Sequence, residues 1–237
     1  MATHHSLLSA KESEFLLLVE GPSDLHAVVQ LVRLVHKAEP SFVAIDCKND
    51  DGVLDQLSIR LVQPEPAQKT VGLILDADID GSTEKDAVRR RWAQLKNRIG
   101  ANYAFPEDFP EEGLIIDPRP GRRAIGTLPR IGAWLMPNNK AFGMFEDLLL
   151  DSLGDREKSY TSDVVKQAKT DNVATFQPSH LSKAAVRTYM AWQEPPDLPH
   201  LSFAIRQGHF QKHRGGMQAI PRLAWRALSS SDGLTDS

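Results

Sequence analysis

Three acidic residues stand at positions that call for a chemical explanation. Glu20 ends the apolar run Phe15 to Val19, and Asp76 and Asp78 follow the apolar run Val71 to Leu75. Carboxylates converging at strand ends form a hard oxygen site suited to Mg2+ or Mn2+, which take carboxylate and water ligands. Packed together without a cation, such like charges raise one another's pKa and cost stability. The competing explanation is local, since Asp favours turns, where its short side chain bonds the nearby main chain. A single Asp-x-Asp after a strand fits either. The second acidic turn of the same chain, Glu20-Gly21-Pro22-Ser23-Asp24, weights the set toward a site.

These residues can meet only if the elements before them lie side by side. Phe15 to Val19 has strand length, and Leu25, Val28, Val29, Val32 and Val35 then recur at helical spacing, with Pro22 suited to the first helical position. Phe42 to Asp46 is a second strand, followed by Asp50-Asp51-Gly52 and a helix from Val53 to Val62. Val71 to Leu75 is the third, followed by a helix over Thr83 to Arg98 with Glu84 and Asp86 in its first turn. Strands alternating with helices predict an α/β fold with a mainly parallel sheet. In such sheets ligands bind outside the carboxyl ends of the strands, the end to which Glu20, Asp76 and Asp78 belong. Residues 102–130 form a Pro- and Gly-rich basic loop insertion containing a short strand, Leu114 to Ile116; Ile131 to Met136 is a further strand, and a helix begins within Gly143 to Leu150. The expected organisation is an α/β domain over 14–155, a helical C-terminal extension over 156–228 packed on it, and a flexible tail over 229–237.

Composition narrows the function classes. At 237 residues the chain holds one to two domains. Hydrophobic residues at 41% and charged residues at 25% are ordinary for a soluble globular protein. With 28 Lys and Arg against 31 Asp and Glu, the net charge of −3 excludes a uniformly basic nucleic-acid coat. Cys47 is the single cysteine, which excludes an internal disulfide and a Cys-rich zinc module. No apolar stretch reaches membrane-spanning length and the first residues lack a signal-peptide core, so no membrane partner is expected and the expected compartment is cytoplasmic. Asp76-x-Asp78-x-Asp80-Gly81 imitates the start of a calcium loop, but a strand precedes it and Ala87 stands where that loop needs Glu. No Gly-x4-Gly-Lys-Ser/Thr is present, and His209-x3-His213 lacks the Glu of a zinc-protease helix, reading as a surface pair.

Leu18-Val19-Glu20-Gly21-Pro22-Ser23-Asp24 and Leu73-Ile74-Leu75-Asp76-Ala77-Asp78 resemble the two signature motifs of the Toprim domain, shared by topoisomerases, bacterial primases, recombination mediators and OLD-family nucleases. The stretches Gly132 to Asn139, Gly143 to Asp147 and Ser182-Lys183-Ala184 resemble small stand-alone Toprim-like proteins related to the OLD nucleases. The resemblance implies a Toprim-like, Rossmann-like sheet and a phosphoryl-transfer centre using Mg2+ or Mn2+, with two ions. It implies Glu20 as general acid or base or metal ligand, Asp76 and Asp78 as metal ligands, Glu146 as a further metal ligand and Lys183 as a catalytic cation. Asp24 and Asp80 would orient or ligate from behind. Two alternatives stay with the last pair: Glu146 as the polar face of an amphipathic helix, and Lys183 as an ordinary exposed lysine. The chain is short for a topoisomerase, lacks the cysteines of primase zinc modules, and carries no ATPase loop; a separate ATPase partner fits the resemblance.

Between Asp117 and Glu146 the chain holds no acid, yet it holds Arg119, Arg122, Arg123, Arg130 and Lys140. That run is the expected contact for nucleic-acid phosphates, DNA or RNA, without sequence reading. A second basic section comprises Lys183, Arg187, Arg206, Lys212, Arg214, Arg222 and Arg226. The expected function is a metal-dependent nuclease. The alternatives are a non-catalytic Toprim-like module that binds nucleic acid or a partner ATPase, and a haloacid-dehalogenase-type phosphatase, which would leave the Glu20 turn unexplained.

Overall fold

Short apolar runs without polar interruption suit strands buried on both faces. The computed structural model describes residues 14–62, 69–77, 86–120, 128–211 and 215–228. In it the five runs form β1 (Phe15–Val19), β2 (Val43–Asp46), β3 (Thr70–Asp76), β4 (Leu114–Ile116) and β5 (Arg130–Met136). They make one sheet in the order β2-β1-β3-β5-β4. β1 pairs in parallel with β2 and β3, and β3 with β5; β4 alone runs antiparallel, on the edge. The fold is α/β, with a mostly parallel sheet flanked by helices, as the alternation of elements predicts.

The helices are α1 (Pro22–His36), α2 (Asp50–Val62), α3 (Ala87–Ile99), α4 (Phe145–Asp151), α5 (Asp155–Thr170), α6 (Leu181–Ala191), α7 (Leu201–Gln207) and α8 (Ala219–Leu228). Pro22 occupies the first turn of α1, where a missing N–H is harmless. α3 is described from Ala87; Thr83 and Glu84 of the expected helix lie outside the described residues. Its start coincides with the first residue of its buried stripe, and Asp86 stands just before the helix, so the first turn holds no acid.

Strand side chains alternate between the two faces of the sheet. Leu17, Val19, Ile74, Trp134 and Met136 join residues of α1 and of α4 through α8 in one buried cluster. Leu18, Leu73, Leu75, Ala133 and Leu135 join Val53, Leu57, Trp92 and Leu95 of α2 and α3 in the other. Of the C-terminal helices, α8 lies against β3 and β5 and completes one of the sheet's two layers, while α5, α6 and α7 pack chiefly on other helices. Among the described residues no helix is long and apolar enough to cross a membrane.

Gly113 sets the closeness of that layer. It has φ +87, and a Cβ there would lie 2.6 Å from Leu223 Cδ2 and 3.1 Å from the Ala133 carbonyl. Gly113→Ala is expected to cost about 1–3 kcal/mol through backbone strain and overpacking, measured as a lowered midpoint in thermal or denaturant unfolding.

Candidate active site

In a parallel sheet every strand points its carboxyl end to the same edge. Here that edge gathers Glu20 after β1, Asp46 at the end of β2 and Asp76 at the end of β3. β1 leaves its ladder with β3 at Leu18↔Leu73, so the last residues of β3 have no strand beside them on that side. Side chains replace the strand. Glu20 Oε1 accepts the Asp76 N–H at 2.7 Å, and Arg91 Nε donates to the Asp76 carbonyl at 2.9 Å. The Asp76 carboxylate accepts the Phe145 N–H at 3.1 Å, capping the start of α4. All three polar groups of Asp76 are thereby engaged by other segments. The next residue is also fixed, its N–H bonded to the Gly143 carbonyl at 2.9 Å.

The remaining acids pack around this pair. Burial pushes the Glu20 carboxyl up to about 7; the Asp76 N–H and the Arg91 charge oppose that rise, while Asp50 and Asp24 add to it. Burial likewise raises Asp24 to about 6, reinforced by Glu146 and opposed by Lys183. Glu146, in the first turn of α4, is raised by burial and held back by Lys183 and Arg187. For Asp50, burial is outweighed by the hydrogen bond and charge of Arg91, and the carboxyl falls below its usual value. Glu20 thus meets the Asp76 main chain, and Asp24 feels the charges of Glu146 and Lys183, while the Lys183 side chain itself is exposed. Asp78 and Asp80 lie outside the described residues.

One clamp explains how Lys183 arrives there. Asp147 Oδ2 accepts the Met144 N–H at 2.8 Å, reaching back across the first turn of α4, and its Oδ1 accepts the Ser182 hydroxyl hydrogen. That second bond ties the start of α6 to the start of α4. Lys183, next to Ser182, is thus carried beside Glu146.

Five residues of this site were given no role from the sequence: Asp46, Asp50, Arg91, Asp147 and Ser182. Arg91 left the clearest signal. Ala87, Arg91, Leu95 and Ile99 share one helical stripe, and all four are buried, so a charged residue sits on an apolar face.

The basic loop goes elsewhere. Arg130 opens β5 opposite Thr70, while Met136 closes it opposite Asp76, which sets Arg130 about 20 Å from Asp76 along the strand. Arg130 pairs with Asp117 at 2.9 Å, and Arg119 donates to the Tyr103 carbonyl at 3.0 Å, at the same far end. Lys140 pairs with Glu111. The run that is free of acids in sequence is thus met by acids in space. Arg122 and Arg123 lie outside the described residues. Replacing Arg130 by Ala is expected to change stability by less than about 1 kcal/mol, as for an exposed ion pair, and to leave divalent-cation affinity unchanged in a titration.

Two further expectations resolve here. His209 is not a surface residue: it is half-buried, with Nε2 enclosed and its carbonyl accepting the Tyr189 hydroxyl hydrogen, because the chain turns inward to seat Phe210. His213 lies outside the described residues. The Cys47 thiol is buried and pushed up to about 11 by that burial, so it is no nucleophile at neutral pH.

The donor set suits a hard cation. It is made of carboxylate oxygens, and each carboxylate can accept more than one bond; burial is the main cause of the raised Glu20 and Asp24, with neighbouring acids adding to it. Among the described residues no three metal-ligating side chains already converge on one point, and Asp78 is not among those residues. Comparison with curated proteins and with solved structures gives no match. A family profile described as "Protein of unknown function (DUF3226)" matches residues 14–221, and the chain belongs to that family.

Proposed function

We propose that the protein is a metal-dependent phosphoryl-transfer enzyme of Toprim type, a nuclease that hydrolyses nucleic-acid phosphodiesters with Mg2+ or Mn2+. The observation that carries the reading is the seat of Glu20 on the Asp76 main chain at the carboxyl edge of a parallel sheet, 2.7 Å from its N–H. Asp76, Asp78, Glu20 and Glu146 would hold the ions, with Asp24 and Asp80 orienting them. When bound, the ions stabilise the attacking and leaving oxygens of an in-line displacement.

The chain's own groups account for the rest. In hydrolysis a water oxygen bonds to phosphorus, one bridging P–O bond breaks, a proton leaves the water and a proton reaches the departing oxygen. Transfer of one of these protons is the alternative role of Glu20 to ligating an ion, and its carboxyl, raised to about 7 by burial, suits that role where no ion is bound to it. Lys183 and Arg187, exposed on one face of α6 beside Glu146, offset phosphate charge. Arg119 and Arg130 reach only a strand that runs the length of the sheet. The proposed compartment is the cytoplasm, and a separate ATPase remains the proposed protein partner.

The test is cleavage of single- and double-stranded DNA and RNA with Mg2+, with Mn2+ and with chelator. Cleavage that requires the ion and is lost in an Asp76→Ala, Asp78→Ala double variant supports the assignment. Cleavage that persists in that variant identifies a contaminant and sinks it. Salt-sensitive binding with no cleavage of any substrate replaces it with a binding module.

A further inference from the structure

Arg91 is the most deeply buried charged side chain described, at 1% exposure, on a helix whose neighbouring stripe positions are apolar. Removing a guanidinium from water costs several kcal/mol unless its donors are well matched. Here they are matched to the site. Nε donates to the Asp76 carbonyl at 2.9 Å, and Nη1 donates to Asp50 Oδ2 at 2.9 Å and to Gln94 Oε1 at 3.0 Å. Gln94 lies on the same helix, so the two long-range partners are the end of β3 and the first turn of α2. A packing role alone would be met by methionine or leucine at this position. A planar fork is needed only if the end of β3 has to be held at a set place relative to α2 and α3.

The N–H and C=O of a strand residue project to the same edge of the strand. Glu20 and Arg91 therefore grip Asp76 from the side that β1 has left, one at each main-chain group. With its main chain fixed there and its carboxylate directed to the Phe145 N–H, the Asp76 side chain has little freedom in where it points.

We infer that Arg91 is a positioning residue for the proposed reaction: it locks the Asp76 main chain and, through Asp50, the start of α2 in the frame the cation-binding carboxylates require. This rests on the function proposed above, but part of its test does not. Arg91 also contributes a positive charge near the acids. If charge were its whole effect, its removal would strengthen cation binding; if it positions Asp76, removal weakens binding.

The experiment compares wild type with Arg91→Lys, which keeps the charge without the fork, and Arg91→Met, which keeps the bulk without either. Asp50→Asn serves as a milder variant. Mn2+ affinity is measured by titration on the full chain, and amide hydrogen exchange is followed by NMR. Both Arg91 variants are expected to bind Mn2+ about tenfold or more weakly, the scale typical of groups that orient ligands. Exchange protection of the Asp76 and Ala77 amides is expected to fall by about tenfold or more while Leu73 in the middle of β3 keeps its own, the signature of a local release. Asp50→Asn is expected to show both changes in weaker form. Unchanged or tighter Mn2+ binding in a folded Arg91→Met protein overturns the inference. If wild type binds no Mn2+, the proposed function fails, and the exchange data alone decide: uniform or unchanged protection overturns the positioning role, and selective loss at Asp76 and Ala77 upholds the lock on β3.

Discussion

Asp76→Asn is expected to abolish metal-dependent cleavage while leaving the protein folded, and Asp76→Ala is expected to lose both activity and stability. The difference follows from the two tasks of one carboxylate. Its Oδ1 accepts the Phe145 N–H and so caps α4. An asparagine oxygen can accept the same bond, whereas alanine leaves the N–H without it, at a cost of about 1 kcal/mol for a lost cap. The negative charge is what a divalent cation requires of its ligand, and neither variant supplies it. A fall of about 100-fold or more in kcat is the scale of losing one electrostatic stabiliser at a reacting centre. The measurement is a pair: turnover with saturating Mn2+, and Tm of the same preparations. Wild-type turnover in Asp76→Asn would remove Asp76 from the reaction.

Glu20→Gln is expected to stabilise the protein at pH 8 while removing its activity. Burial raises the Glu20 carboxyl from 4.5 to about 7. An acid whose folded pKa lies above its unfolded value binds more protons when folded, so its contribution to stability is fully present below pH 4.5 and is lost as pH rises through about 7. Asp24 acts in the same direction, from 3.8 to about 6. Wild type, without added metal, should therefore lose stability between about pH 4 and 7. Glutamine carries no charge and can still accept the Asp76 N–H. At one pKa unit per about 1.4 kcal/mol, discounted for partial exposure, the gain at pH 8 is about 1–2 kcal/mol, a Tm about 2–6 °C higher. The two proteins should converge near pH 4.5. A Glu20→Gln protein less stable than wild type at pH 8 would contradict the assigned burial penalty. Saturating Mn2+ should reverse the ranking, because the ion supplies the counter-charge only where the carboxylate remains.

The strands were legible because each is a short apolar run with few ways to be buried, and all five appear where the runs predict. The carboxyl edge followed from topology, so Glu20 and Asp76 could be placed together before any distance was known. Other parts were hidden for definite reasons. Asp50 reads as a turn residue because the same short side chain serves turns and ion pairs. Arg91 hides among three consecutive arginines of one helix, and only its position on the stripe with Ala87 and Leu95 separates it from its exposed neighbours. The basic run misled because charge along the chain is not charge in space: Glu111 and Asp117 come from outside the run and meet Lys140 and Arg130. Ser182 and Asp147 are joined by a bond across 35 positions, for which no local pattern exists.

The three-point hold on Asp76 also has a meaning for folding. Its partners lie 56, 15 and 69 positions away along the chain. Contacts of such separation form late, after loop closure has been compensated by the packing of the sheet. An unfolded or half-formed chain therefore presents scattered carboxylates and no gathered site. Any cation that needs several of them together binds the finished fold and shifts the equilibrium toward it. Under the proposed function, cation binding and folding would form one cooperative event.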